Sequence, residues 1–385
     1  MTNSNAFSMQ SPVPDTHSFR GIIDFGDTNS QRFKGQLNNL AQDNSTHVVS
    51  ITQFGDSHSA ADFFTGELRV LLQAKYGDAG IGWVTPMSVQ GQYHTAVSWK
   101  SKNWQLFTSR NVNNRDFPMG GYIAEPTKNG GYIQVIPNSL PGVWKTVLTY
   151  KPLRRTTDFY LMDANNRRST VNTTNNKLNH WQTTSATVSA PFSVMADKGG
   201  VELGSIWLQK NNQSGVIVSS IATNGARQSI WQKWSANWYT ELTASKSDLV
   251  ILAYGTNESF DAQLKLDEYK QNLIDNIKHV RQALPHAALL IMSSPDTMLA
   301  GVKGNTCFER QPPNYHQIRN IQQDIAREYQ TLYWDWQTAM GGDCIIEKWM
   351  LMDLAKPDLV HLTKAGYMES AKFFYNDLTE YLARQ

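Results

Sequence analysis

Four short segments of the sequence hold the residue types from which a serine nucleophile, its base and its anion-stabilising donors can be assembled. Phe54-Gly55-Asp56-Ser57-His58-Ser59 places the Ser57 hydroxyl after an apolar run and before an amphipathic one, where a helix N-terminus offers unpaired N–H groups to a developing anion. Asp358-Leu359-Val360-His361 spaces a carboxylate three residues from an imidazole, so one turn can hold one ring nitrogen on the acid and leave the other for a serine. Ala222-Thr223-Asn224-Gly225-Ala226 contains a glycine, which permits close backbone approach and can aim its N–H into a site. Gly255-Thr256-Asn257-Glu258 contains an amide donor whose protonation does not change with pH. Each segment alone also reads as an ordinary turn. Their order and placement carry the signal.

Those positions need a scaffold, and hydrophobic periodicity supplies one. Residues 47–77 read as a buried strand, VVSITQF, a sharp turn at Gly55-Asp56-Ser57, and an amphipathic helix closed by Gly77. Strand-like runs recur at 215–221, 248–255, 288–294 and 332–336. Helical runs separate them at 229–242, 263–284 and 317–329, and a last one follows at 364–382. This alternation implies an α/β sandwich, a parallel sheet of about five strands with helices on both faces. The four segments then fall at strand ends or before the final helix, the edge where open α/β sheets gather ligands. Gly26-Asp27-Thr28-Asn29 has similar letters but no amphipathic helix is read after it, so it is taken as a plain turn.

Between residues 86 and 205 the pattern changes. Short alternating runs at 132–136, 145–150, 158–162 and 186–190, with Asn/Thr clusters such as NTTNNK (172–177), replace helical periodicity. They predict an antiparallel β-sandwich, inserted into a discontinuous catalytic domain of residues 1–85 and 206–385. The insert holds 13 Lys and Arg against 6 Asp and Glu, a balance of +7, leaving 22 against 27, or −5, for the rest. That balance suits an anionic polymer as well as a plain solvated surface. Trp99, Trp104, Trp144 and Trp181 are candidates to hold a glycan, core packing being the commoner use of such residues. Trp231, Trp234 and Trp238, three and four apart on one predicted helix, read as core. His94 and His180 have no ligand spacing and receive no role.

Composition narrows the classes. The 385 residues suit two domains or one decorated one, and 40% apolar with 18% charged residues gives enough to bury a core. A net charge of +2 gives no sign of a nucleic-acid binder. No stretch approaches the roughly 18 apolar residues of a spanning helix, which excludes an integral membrane protein of that kind. The opening MTNSNAFSMQSPVPD has neither a basic n-region nor an apolar h-region, so no export signal is visible. Cys307 and Cys344 can form neither a disulfide scaffold nor a four-thiolate metal site, while one bridge across 37 residues stays open.

In combination, Gly-Asp-Ser, Gly, Gly-x-Asn and Asp-x-x-His, in that order, resemble the SGNH (GDSL-type) hydrolase family, esterases built on a flavodoxin-like three-layer sandwich. The resemblance implies Ser57 as nucleophile, Asp358 and His361 completing a triad, and the Ser57 N–H, Gly225 N–H and Asn257 amide as an oxyanion hole. It implies no metal and no organic cofactor. His58 stands where many members have Leu and Glu258 where many have Asp, departures that touch none of these roles. The fuller string GDSHSAADFFTG, with the β insert, is similar to the peptidoglycan O-acetylesterase branch, whose members carry a carbohydrate-binding-module-like β domain and act in the Gram-negative periplasm.

On that resemblance the expected partner is the O-acetylated peptidoglycan glycan strand. Acetyl would leave the C6 hydroxyl of muramoyl residues by double displacement through an acetyl-enzyme. The rival readings are an O-acetyltransferase, an acetylesterase for another polysaccharide, a lipid or thioester hydrolase and, from a different class, a carbohydrate-binding protein with a vestigial hydrolase domain. A large basic insert and the lack of a long apolar lid argue against lipid, and four intact blocks argue against a vestigial site. The periplasmic setting makes a Cys307–Cys344 bridge the expected state.

Overall fold

The computed structural model describes residues 21–42, 47–139, 141–173, 177–304 and 306–384. The opening polar segment and the middle of NTTNNK lie outside these residues.

Six strands form the central sheet: β1 (Ile23–Asp24), β2 (Val48–Gly55), β3 (Gly215–Ala222), β4 (Leu249–Ala253), β5 (Ala288–Met292) and β6 (Leu332–Trp334). Their order across the sheet is β1-β6-β5-β4-β2-β3; β2 to β6 run parallel and β1 is an antiparallel edge strand. Counted along the chain, the five parallel strands lie in the order 2-1-3-4-5, the flavodoxin-like arrangement, with its switch point between β2 and β4. Alternate side chains serve opposite faces. Val216, Val218, Leu249 and Ile251 pack against Phe33, Leu68 and Phe374 of the helices Ser30–Ala41, Phe63–Tyr76 and Lys364–Ala383. Ile217, Ile221, Val250 and Leu252 pack against Ile277 and Ile325 of Leu266–Ala283 and Tyr315–Glu328. With both faces covered, every residue of β4 and β5 is buried.

From Gly80 to Lys210 the chain builds two antiparallel sheets instead. One runs Arg168–Thr170, Tyr160–Met162, Phe192–Ala196, Gly131–Pro137, Val97–Lys102; the other runs Gln182–Ala190, Gly142–Pro152, Val201–Lys210, Tyr122–Pro126, Trp104–Thr108, with Gly80–Val84 also paired to Val201–Lys210. Ile133, Val135, Phe192 and Val194 of the first meet Leu148, Val188, Leu203 and Ile206 of the second in their own core. The outer face of the second sheet is apolar too: Trp83, Ile123 and Trp207 join the cluster of Ile217, Ile221, Trp231 and Trp234 on the α/β side. This module therefore sits on the α/β layers through a continuous buried contact.

Three local expectations are corrected. Residues 229–242 are not one helix: a 3-10 turn covers Gln228–Lys233 and a short α-helix Trp238–Leu242. Trp234 between them is extended, and the Ser235 N–H is donated to Phe117 O of the β module, a tertiary bond that outbids the next helical one. Trp231, Trp234 and Trp238 are all buried around Phe54. The run 332–336 is strand only to Trp334, because Asp335 caps a helix at Trp336–Met340 by accepting the Thr338 N–H. Finally, Gly26-Asp27-Thr28-Asn29 is a turn, yet an amphipathic helix, Ser30–Ala41, does follow it, burying Phe33, Leu37 and Leu40. Because β1 is antiparallel, that turn lies at the opposite sheet edge, where Asp27 accepts the Leu289 N–H at the start of β5.

Candidate active site

Strand register sets the site. Gly55 pairs with Ala222 of β3 on one side and Ala253 of β4 on the other, so the three strands end level at one edge. Ser57, Gly225 and Asn257 follow within a few residues of that line. A Cβ on Gly55 would lie 2.2 Å from Ser59 Oγ, a clash that only glycine avoids in so sharp a turn out of β2. Asp56 then accepts the His58 N–H at 2.9 Å and starts the short helix Ser57–Ala60.

The structure brings Ser57, His361 and Asp358 into one chain of hydrogen bonds. Ser57 Oγ lies 3.0 Å from His361 Nε2, and His361 Nδ1 lies 2.9 Å from Asp358 Oδ2. The other Asp358 oxygen accepts the Val360 and His361 N–H groups, at 3.0 and 2.9 Å, so one carboxylate both shapes the turn and orients the ring. With Nδ1–H donated to Asp358, Nε2 is left as an acceptor facing the serine. Although some desolvation opposes it, hydrogen bonds from His361 and Val360 hold the Asp358 carboxyl below its ordinary pKa. The His361 and Asp358 side chains are 37% and 47% exposed, which leaves the pair open to a large substrate.

The donor segments are tied together. Thr223 N–H is donated to Gly55 O at 3.3 Å, and the Asn257 amide to Ala226 O at 2.9 Å, with the Asp56 carboxylate 3.4 Å away. Gly225 has φ +71, and a Cβ there would come within 3.0 Å of the Arg110 guanidinium, so the β module lays a cation over this loop. Burial pushes Asp56 and Glu258 up to about 7, the charge of Glu258 adding to the rise at Asp56; Glu258 accepts the Gln228 N–H at 2.8 Å.

Several neighbours were not legible as site residues. His58 is fully buried, its Nδ1 3.0 Å from Tyr367 Oη, its ring 5.6 Å from His361 and 5.8 Å from Trp336. Burial, with His361 nearby, pushes its pKa down to about 3, so it is neutral. Its departure from Leu was the available signal. Arg110 had none, because nothing in the sequence says which insert loop reaches Gly225. Among the described residues no group of three His, Cys, Asp or Glu could hold a metal ion. Among the described residues no helix is long and apolar enough to cross a membrane. Cys307 and Cys344 are bridged, Cα to Cα 5.9 Å.

Two family models match overlapping parts of the chain. Residues 79–193 match the model of the peptidoglycan O-acetylesterase N-terminal region. Residues 164–368 match the GDSL-like lipase/acylhydrolase family, a span that includes Gly225, Asn257, Asp358 and His361 but not Ser57. A solved structure of a peptidoglycan O-acetylesterase in action is 32% identical, with a TM-score of 0.85, over 94% of this chain and 99% of that one. A family two carbohydrate esterase from Cellvibrio japonicus is 9% identical with a TM-score of 0.30, over 74% of this chain and 99% of that one. No curated protein sequence matches. With over half its length matched by that family's model and a structural relative sharing a third of its residues end to end, the chain belongs to the GDSL-like lipase/acylhydrolase family and is a carboxylic ester hydrolase.

Proposed function

We propose that this protein removes O-acetyl groups from the C6 hydroxyl of muramoyl residues in peptidoglycan. The observation that carries the reading is the likeness to a peptidoglycan O-acetylesterase at 32% identity across both the α/β layers and the β module. Ser57 Oγ attacks the acetyl carbonyl as His361 Nε2, oriented by Asp358, takes its proton. Charge gathers on the carbonyl oxygen, met by the Ser57 and Gly225 N–H groups and the Asn257 amide. The C–O bond to the sugar then breaks, His361 returns the proton to the leaving oxygen, and acetyl stays on Ser57. Water, deprotonated by His361, attacks the acetyl-enzyme, releasing acetate and restoring the Ser57 hydroxyl.

The module, residues 86–205 with its flanking strands, acts as a carbohydrate-binding unit for the glycan. Its two-sheet architecture and basic balance support this. The Cys307–Cys344 bridge supports a periplasmic, oxidising location.

The test is acetate release from O-acetylated peptidoglycan and from a chromogenic acetyl ester by the wild type and Ser57→Ala. Loss of both activities in the variant is expected. Equal release by the two proteins would refute the serine mechanism, and activity on the simple ester alone would refute the substrate.

A further inference from the structure

Arg227 and Arg110 both stand at the Gly225 loop, and they are used differently. Arg227, just after Gly225, gives its guanidinium to Asp261 at 2.7 Å. Arg110 comes from the β module and lies on the loop itself. Its Cζ and Nη2 sit 3.0 Å, and its Nε 3.3 Å, from where a Cβ on Gly225 would stand. Among the described residues its guanidinium has no ion-pair partner and no acceptor, while its backbone N–H is donated to Thr108 Oγ1 at 3.3 Å.

The turn that carries Arg110 is held from both sides. Ser109, fully buried, donates its N–H to Gly121 O at 2.9 Å, and Asn111 and Val112 donate theirs to Thr108 O at 3.1 Å. From the α/β side the Lys233 ammonium closes the same turn, donating to Ser109 O at 2.9 Å and to Asn113 Oδ1 at 2.8 Å. The backbone is fixed, and the side chain is exposed.

Carboxylates around the site do not supply the missing partner. Asp358 accepts from Val360 and His361, and Asp261 from Arg227. Glu258 accepts the Gln228 N–H, and Asp56 the His58 N–H, both carboxyls being buried. An unpaired arginine is ordinary on a solvated surface. This one differs by its place, against the glycine of the candidate oxyanion hole, where anything that reaches Ser57 must pass close by.

The acetyl group to be removed is neutral, so an anion that meets Arg110 belongs to another part of the substrate. A guanidinium presents its donors as a planar fork that matches a carboxylate through two parallel bonds, and such charge-assisted pairs are roughly twice as strong as neutral ones. Peptidoglycan carries its carboxylates on the lactyl ether of muramoyl residues and on the stem peptides joined there.

We propose that Arg110 is a substrate-binding residue that takes a carboxylate of the glycan strand or of its stem peptide and so sets the ester over Ser57. The assignment rests on the peptidoglycan reading above. It gives the β module a direct share in specificity at the active site, through one exposed side chain.

The test is competition against the chromogenic acetyl ester. The inhibitors, at millimolar concentrations, are N-acetylmuramic acid, whose free carboxylate is on the sugar, and N-acetylmuramoyl dipeptide, whose free carboxylate is on the peptide, each beside its carboxyl-amidated form. The proteins are the wild type, Arg110→Gln, Arg110→Lys and Lys100→Gln; Lys100, exposed on the strand Val97–Lys102, controls for the plain loss of one positive charge. In the wild type at least one acid is expected to inhibit about tenfold more tightly than its amide, and the pair that shows it identifies the source of the carboxylate. That preference should vanish in Arg110→Gln, survive in part in Arg110→Lys, which keeps the charge without the fork, and stay whole in Lys100→Gln. Turnover of the ester reports that each variant is folded. No acid preference in the wild type, an undiminished one in Arg110→Gln, or an equal loss in Lys100→Gln overturns the proposal. Acetate release from O-acetylated peptidoglycan by the same wild-type preparation separates the two readings. Release without acid preference removes the role of Arg110 alone; acid preference without release keeps that role and removes the proposed substrate.

Discussion

The imidazole of His58 lies 5.6 Å from that of His361, yet only His361 faces the Ser57 hydroxyl, while His58 Nδ1 is 3.0 Å from Tyr367 Oη in a fully buried position. The Leu362 N–H also reaches Tyr367 Oη, which leaves the phenol proton for His58. A neutral histidine thus packs behind the one that faces Ser57, held by a residue of the last helix.

Removing that phenol should therefore be felt. Tyr367→Phe leaves His58 Nδ1 buried without a donor, and the expected loss of stability is about 1–3 kcal/mol. Adding His58→Leu to that variant removes both partners and should return most of the loss. Urea unfolding of the two single variants and the double variant measures the coupling. Additive losses would show that the bond contributes nothing beyond packing.

Asn257→Ala should lower kcat on a chromogenic acetyl ester by about 10²–10³, with little change in KM, if the amide meets charge only in the transition state. Arg110→Ala, which uncovers the Gly225 loop from above, should act on KM for O-acetylated peptidoglycan more than on the small ester. Steady-state kinetics on both substrates distinguishes the two patterns, and an unchanged kcat for Asn257→Ala would remove it from the oxyanion hole.

Stability should also carry a pH signature from Glu258. Burial raises this carboxyl from 4.5 to about 7, so the folded chain binds the proton more tightly than the unfolded one. Its contribution to stability is then fully present below about pH 4.5 and is lost as pH rises through about 7. Buried Asp56, raised from 3.8 to about 7, acts in the same sense; His58, lowered from 6.5 to about 3, acts in the opposite one. The comparison is therefore between proteins rather than between buffers. Glu258→Gln should gain Tm relative to wild type as pH rises from 4.5 to 7, and parallel Tm profiles would exclude the shift.

The Cys307–Cys344 bridge closes a loop of 37 residues, for which chain entropy predicts about 3–4 kcal/mol of stabilisation. The double variant Cys307→Ser/Cys344→Ser should fold with a lower Tm and keep its acetylesterase activity, since Ser57, His361 and Asp358 are held by the end of β2 and by the Asp358 turn rather than by this loop. Differential scanning calorimetry with an activity assay on the same samples checks both halves of the expectation.

The amino-acid sequence by itself determined the layers and the order of the chemical blocks. Apolar runs of strand length alternating with amphipathic helices admit one economical burial, a parallel sheet covered on both faces, and β4 and β5 are buried throughout because nothing in them is polar enough to face water. It also placed Ser57, Gly225 and Asn257 just past strand ends and the Asp358–His361 turn before the last helix, because these are local features. Tertiary structure decided what local pattern could not. Whether Gly26-Asp27-Thr28 or Gly55-Asp56-Ser57 reached the functional edge depended on the direction of β1 against β6, a pairing between residues about 300 apart. The Trp231 to Trp238 segment gave up its helix to a backbone bond with the β module. Arg110 over Gly225 and Tyr367 against His58 exist only because distant segments pack together. Long-range contacts of this kind leave no periodicity in the sequence, since the partner that satisfies or strands a polar group is chosen by packing rather than by its neighbours in the chain.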